Sequence, residues 1–181
     1  MRSDRDDAVQ PAAAPSRPVI FWTVVVVVLI ADVVTKAIAV WALQPEHVPH
    51  EVLGDTVRLT LVYNPGAAFG LNLGPLSRWI FMALTLAILA ILWRFYRATR
   101  EGEYLRTLAL GLVCAGAVGN LIDRIRSSAG VVDFIDVGIG TRRWPTFNVA
   151  DMAVSTGAIL LAWVLLQEDR AEARVRAAGE H

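Results

Sequence analysis

The 181-residue chain has one cysteine, three histidines and no net charge, with 17 basic side chains balancing 17 acidic ones. A single cysteine excludes an internal disulfide. Cys114 lies in the apolar run "LALGLVCAGAVGNLI", the setting of a buried, inert thiol. A thiol nucleophile would want a histidine partner. His47 and His50 sit in a loop as "HVPH", and His181 ends the chain. A metal site would need more ligands at better spacing, so we expect no metal and no cofactor. With no excess of either charge, nothing points to nucleic acid as a partner.

What the sequence has in excess is apolar length. Hydrophobic residues make up 55% and mean hydropathy is +0.49, too apolar for an ordinary soluble domain. Four runs approach the ~20 residues that a bilayer-spanning helix needs. They cover roughly 19–43, 79–96, 105–122 and 149–166, within one domain over 19–167. The third is rich in Gly and Ala, which let helices approach closely in lipid. The first run is too long for a signal-peptide core and is read as a retained span. Residues 1–18 read as a disordered tail, and residues 168–181 as a polar, helical extension into water. Arginine bias sets the orientation. Arg94, Arg97, Arg100 and Arg106 put the loop between spans two and three in the cytoplasm, and both termini with it. The bias is moderate, because the second outer loop is itself basic.

The first outer segment, 44–77, is more than a linker. In "DTVRLTLVYN", Val57, Leu59, Leu61 and Tyr63 alternate with Thr56, Arg58 and Thr60, which is strand periodicity. A turn signal follows at Asn64-Pro65-Gly66. The expected fold is therefore a mainly α membrane protein with four transmembrane helices and a small extracytoplasmic β-sheet segment. Gly66, Gly70 and Gly130 would permit the outer segments to bend.

Ionisable groups inside spans are functional candidates by default. Asp32 and Lys36 stand four apart on one helix face, where an ion pair would lower the insertion cost of both and orient the helix. Asn120 and Asp123 share a face at the outer end of span three, and Arg124 there can snorkel to water or pair with a carboxylate. Asp133 and Asp136 lie three apart in "GVVDFIDVG", a spacing that aligns them on a helical turn lying against the membrane surface. Asn148 is a candidate N-cap for span four, with Asp151 in its first turn. The positive helix end favours an ionised Asp151 by roughly 0.3–1 kcal/mol. That is less than the roughly 2.5–3.5 kcal/mol cost of an Asp at mid-span. Capping alone does not account for a carboxylate there.

A second carboxylate would. Two carboxyls held close cannot both ionise easily, so one keeps its proton. The charged one can take a proton from water while the neutral one polarises a scissile carbonyl. Asp123, Asp133, Asp136 and Asp151 are the available members, and periodicity does not choose among them.

The motifs "ADVVTK", "YNPGAAFG", "GNLIDRI", "VVDFIDV" and "FNVAD", in this order on a four-span chain, resemble lipoprotein signal peptidase, the bacterial type II signal peptidase family. The resemblance covers nearly all of residues 19–167; the two tails depart from it. It implies an aspartic peptidase of the cytoplasmic membrane, with its site near the outer face. The implied substrates are prolipoproteins whose lipobox cysteine carries diacylglycerol, cleaved just before that cysteine. It implies Asp133 and Asp151 as the catalytic pair, and Asp32, Lys36, Asn64, Asn120, Asp123, Arg124 and Asn148 as supporting positions. It also implies sensitivity to the cyclic peptide globomycin. Membrane lipids are expected neighbours, and nothing requires more than a monomer. Asn64, both donor and acceptor, is expected to contact the substrate backbone. Two other readings compete: a small proton- or ion-coupled transporter, and a scaffold for assembling membrane proteins.

Overall fold

The computed structural model describes residues 14–66 and 74–179. Four helices long and apolar enough to cross a membrane form a bundle: α1 (Arg17–Ala42), α2 (Ser77–Ala98), α3 (Tyr104–Arg126) and α4 (Val149–Gly179). Pro18 sits in the first turn of α1, where its missing N–H costs nothing. The helices α3 and α4 outrun the apolar runs at their ends. The first keeps its turns through Asp123 and Arg124, and the second continues past Leu166 as a polar helix. Most of residues 1–18, together with Gly70 and His181, lies outside the described residues.

Of α3's apolar stretch 50% is buried, against 17% for each other span. This makes α3 the central helix, with the others turning most of their apolar surface outward, as lipid-facing helices do. Small residues permit the close approach. Gly111 faces Val24 of α1, Gly116 faces the carbonyl of Ala150, and Gly157 faces that of Ala109. Two arginines close helix C-termini from neighbouring helices. Arg17 donates to the carbonyls of Tyr96 and Thr99 at the end of α2. Arg78 donates to those of Arg124 and Ile125 at the end of α3, at 2.6 and 3.0 Å. Both satisfy carbonyls that a helix end leaves without partners.

A four-stranded antiparallel sheet, in the order β1-β2-β3-β4, covers one end of the bundle. Its strands are β1 (His50–Leu53), β2 (Val57–Asn64), β3 (Val131–Ile139) and β4 (Arg142–Arg143). Leu61, Val132 and Phe134 pack with Ala39 of α1 and with Leu43 just past its end, and fix the sheet to the bundle. The strand β2 lies where the alternation predicts. By contrast, β3 corrects the helical spacing proposed for Asp133 and Asp136. In a strand, residues three apart point to opposite faces, so the two aspartates part company.

The register of β2 on β3 shifts by one residue between Leu59 and Val62. Leu59 pairs with Ile135, but Val62 pairs with Asp133 and Asn64 with Val131. A strand of unbroken alternation would turn Asn64 away from Asp133; the shift brings both to one face.

Candidate active site

The site is built where α4 begins. The Asn148 side-chain oxygen accepts the Asp151 backbone N–H at 2.9 Å, and the Asp151 carboxylate accepts the Asn148 backbone N–H at 3.2 Å. This is a reciprocal capping box, with Asp in the place usually taken by Glu. The next free donor, the Ala150 N–H, is taken by the Asp32 carboxylate of α1 at 2.9 Å. So the start of α4 is fixed by its own cap and by a side chain from across the bundle. The Cβ of any residue larger than glycine at position 119 would come within 2.5 Å of that Asp32 carboxylate.

Asn148 also reaches the other aspartate. It is fully buried, and its amide donates to Asp133 at 2.7 Å, to Asn120 at 3.1 Å and to the Val132 carbonyl at 3.2 Å. One side chain thus caps the helix that carries Asp151 and holds the carboxyl of Asp133. The second oxygen of Asp133 accepts from the Asn64 amide at 3.1 Å. Asp133 is only 2% exposed. Burial first, and then the charge of Asp151, push its carboxyl up to about 7, against the lowering effect of the Asn64 and Asn148 donors and the Lys36 charge.

Lys36, the only lysine of the chain, anchors the polar core beneath. It pairs with Asp32 and with Asp123, both at 2.8 Å, and donates to the Asn120 oxygen at 3.1 Å. Asn120 therefore has its oxygen occupied by Lys36 and Asn148, which turns its amide nitrogen toward Asp151 at 2.8 Å. The Asp123 carboxylate also accepts the Val132 N–H of β3 at 3.3 Å. The intrahelical pair proposed for Asp32 and Lys36 is present, and it extends across three helices.

Arg124 departs from expectation. It is buried instead of snorkelling, and it donates to the carbonyls of Asn120 and Gly66 at 3.1 and 3.0 Å instead of to a carboxylate. Its Nε has no partner among the described residues. Asn64 spends both ends of its amide internally, on Asp133 and on the Gly66 N–H, while still lining the cavity. Asp136, the fourth carboxylate, lies on the far face of β3. There Arg143 (2.7 Å), Thr60 (3.1 Å) and Arg58 (3.2 Å) donate to it. Burial pushes its carboxyl up, but these donors and the two arginine charges outweigh burial and hold it below the usual carboxylate range.

Asp133, Asp151, Asn64, Asn120 and Arg124 line one cavity of about 630 Å³. Its other wall is the segment Trp144, Pro145, Thr146 and Phe147, facing Met152, Ser155 and Thr156 in the first two turns of α4. Sequence reasoning missed this wall; the only signal was an aromatic pair flanking Pro145 just before the helix cap. Among the described residues, no three His, Cys, Asp or Glu side chains converge so as to hold a metal ion. The arrangement offers two neighbouring carboxyls in unequal surroundings beside an open, mostly apolar volume. That is a setting for general acid–base chemistry.

The sequence pattern of the family described as signal peptidase (SPase) II matches residues 24–167. A lipoprotein signal peptidase of Mycolicibacterium smegmatis is 44% identical over 161 residues, 86% of this chain and 64% of that protein. One from Pelotomaculum thermopropionicum is 42% identical over 146 residues, 80% of this chain and 90% of that protein. A bacterial membrane enzyme solved by the in meso method superposes with a TM-score of 0.74 at 34% identity, covering 82% of this chain and 88% of its own. With a matching sequence pattern, curated relatives and four membrane-spanning helices around a shared fold, the chain belongs to the signal peptidase II family of membrane proteases.

Proposed function

We propose that the protein is an intramembrane aspartic endopeptidase that removes the signal peptide from diacylglyceryl-modified prolipoproteins, cleaving just before the lipidated cysteine. The observation that carries this reading is the double engagement of Asn148. It links two carboxyls 18 positions apart in sequence at one cavity, through its amide on Asp133 and its cap with Asp151. Asp151, held by the Asn120 amide and a backbone N–H at a helix N-terminus, is the base that takes a proton from water. Asp133, with its raised affinity for a proton, is the acid that polarises the scissile carbonyl and then supplies the leaving amine. Arg124 lines the same cavity, and its positive charge is suited to the carbonyl oxygen as charge develops on it.

The arginine distribution supports a site at the outer face of the cytoplasmic membrane, with both termini inside. A site there meets acyl chains and water together. The described buried charged groups gather at the sheet end, with Thr99 and Thr107 the buried polar side chains near the other end, and the described buried residues of α2 offer only Ser77 and the Tyr96 hydroxyl as polar side chains. A transporter would need polar groups at several depths.

The test is cleavage of a diacylglyceryl-modified prolipoprotein by the purified protein in detergent. Asp133→Asn and Asp151→Asn should each abolish it, and globomycin should inhibit the unmodified enzyme. Cleavage surviving in both variants would end the two-carboxylate reading.

A further inference from the structure

All six tryptophans of the chain are exposed, between 43% and 85%. Exposed tryptophan in a membrane protein belongs at the lipid–water interfaces. Five of the six lie on spans and sort into two levels. Trp22 and Trp41 sit 19 residues apart on α1, about 28 Å at 1.5 Å per residue, close to the ~30 Å of a hydrocarbon core. Trp93 lies 6.4 Å from Trp22, so it shares the level away from the sheet. Trp163, 14 residues into α4, lies about 21 Å below its start and toward that same level. Trp79 opens α2 at the sheet end, 14 residues or about 21 Å from Trp93 and toward the level of Trp41.

Trp144 is the one tryptophan not on a span. It follows β4, and its backbone N–H is held by the Val137 carbonyl at 2.8 Å. It walls the cavity opposite Met152, Ser155 and Thr156, whose helix enters the membrane there. The hairpin around it is sorted by side. Arg143 turns inward to Asp136, while Ile139, Arg142 and Trp144 are exposed. An exposed isoleucine, an arginine side chain with no partner among the described residues and an indole on one hairpin match the headgroup layer, where the arginine meets phosphate and the indole straddles the boundary.

We propose that the β3–β4 hairpin is a membrane anchor, with Trp144 and Arg142 seated in the phospholipid headgroup layer on the sheet side, and that it holds the cavity mouth at that level. Trp41 and Trp79 lie at the same end of the bundle as the hairpin. The placement does not rest on the peptidase reading.

The test is fluorescence quenching of the full chain in phosphatidylcholine–phosphatidylglycerol vesicles whose acyl chains carry bromine near the headgroup or near the chain end. Wild type is compared with W144F, which keeps the other five tryptophans. The emission lost in going to W144F should be quenched by bromine near the headgroup and spared by aqueous iodide. W144Y, which preserves an interfacial aromatic, gives the same difference spectrum should W144F fail to assemble. Quenching of that emission by iodide and not by bromolipid overturns the proposal and leaves Trp144 in water or facing a protein. Quenching only by bromine at the chain end overturns it too. The inactive Asp133→Asn protein should behave as wild type here, so failure of the anchor and failure of the peptidase reading are separable.

Discussion

Asp133→Asn should make the protein more stable, and only above a definite pH. Burial and the Asp151 charge raise the Asp133 carboxyl from 3.8 to about 7 in the folded protein. The folded state therefore binds the proton more tightly than the unfolded chain. Stability from this group is complete below about pH 4 and is lost as pH rises through about 7. The gap of about 3 pH units, at roughly 1.36 kcal/mol each, amounts to ~4 kcal/mol. Asparagine resembles the protonated carboxyl and does not ionise, so the variant escapes that loss. Unfolding in detergent micelles, followed from about pH 4 to about pH 8, should show no advantage for the variant in acid. Its stability relative to wild type should then rise by ~4 kcal/mol and level off above neutrality. The amide nitrogen, unlike the hydroxyl oxygen of the protonated acid, cannot accept from the Asn64 or Asn148 donor, but that loss is the same at every pH and leaves the pH-dependent change intact. A difference that does not change with pH, or one that favours wild type at pH 8, refutes the reasoning.

Asn148→Ser keeps a good N-cap but is too short to hold Asp133 as well. The lost donor, worth about 1.5–3 kcal/mol to a charged acceptor, should move the alkaline limb of the kcat profile up by about 1–2 pH units. An unmoved limb would remove Asn148 from the dyad's electrostatics. Gly119→Ala should displace Asp32 from the Ala150 N–H and cost about 1–3 kcal/mol in a thermal melt, with activity falling alongside. Unchanged melting would mean that the α1 carboxylate is not needed at the start of α4. Asp136→Asn, on the far face of the sheet, should cost about 1–3 kcal/mol at neutral pH. Its folded carboxyl is depressed, so this stability exists above about pH 4 and is lost as pH falls; the gap to wild type should close in strong acid.

The spans were legible because a bilayer imposes a length and an apolar content that few other structures share. Asn148 as a cap was legible too, since Asn directly before an apolar helical run is a local signal. The strand β3 was not. "VVDFIDV" is a short apolar run, and periodicity does not separate a buried strand from a helical turn there. What makes it a strand is pairing with β2, some 70 residues earlier. The same long-range origin hid the one-residue shift that turns Asn64 toward Asp133, the Asp32 bond to Ala150, and the arginine cluster around Asp136. Arg124 misled because position alone puts it at a boundary, whereas the Gly66 carbonyl draws it inward.

Lys36 carries the only side-chain amine in the molecule, 4% exposed and clasped by two carboxylates. Reagents that attack lysine amines should thus find no readily reached target while the bundle is closed. Coupling to beads or dyes through lysine will be ineffective, and cysteine-directed chemistry is no substitute, since Cys114 is buried as well. The same property makes acylation of that one nitrogen an internal clock for the opening of the three-helix junction.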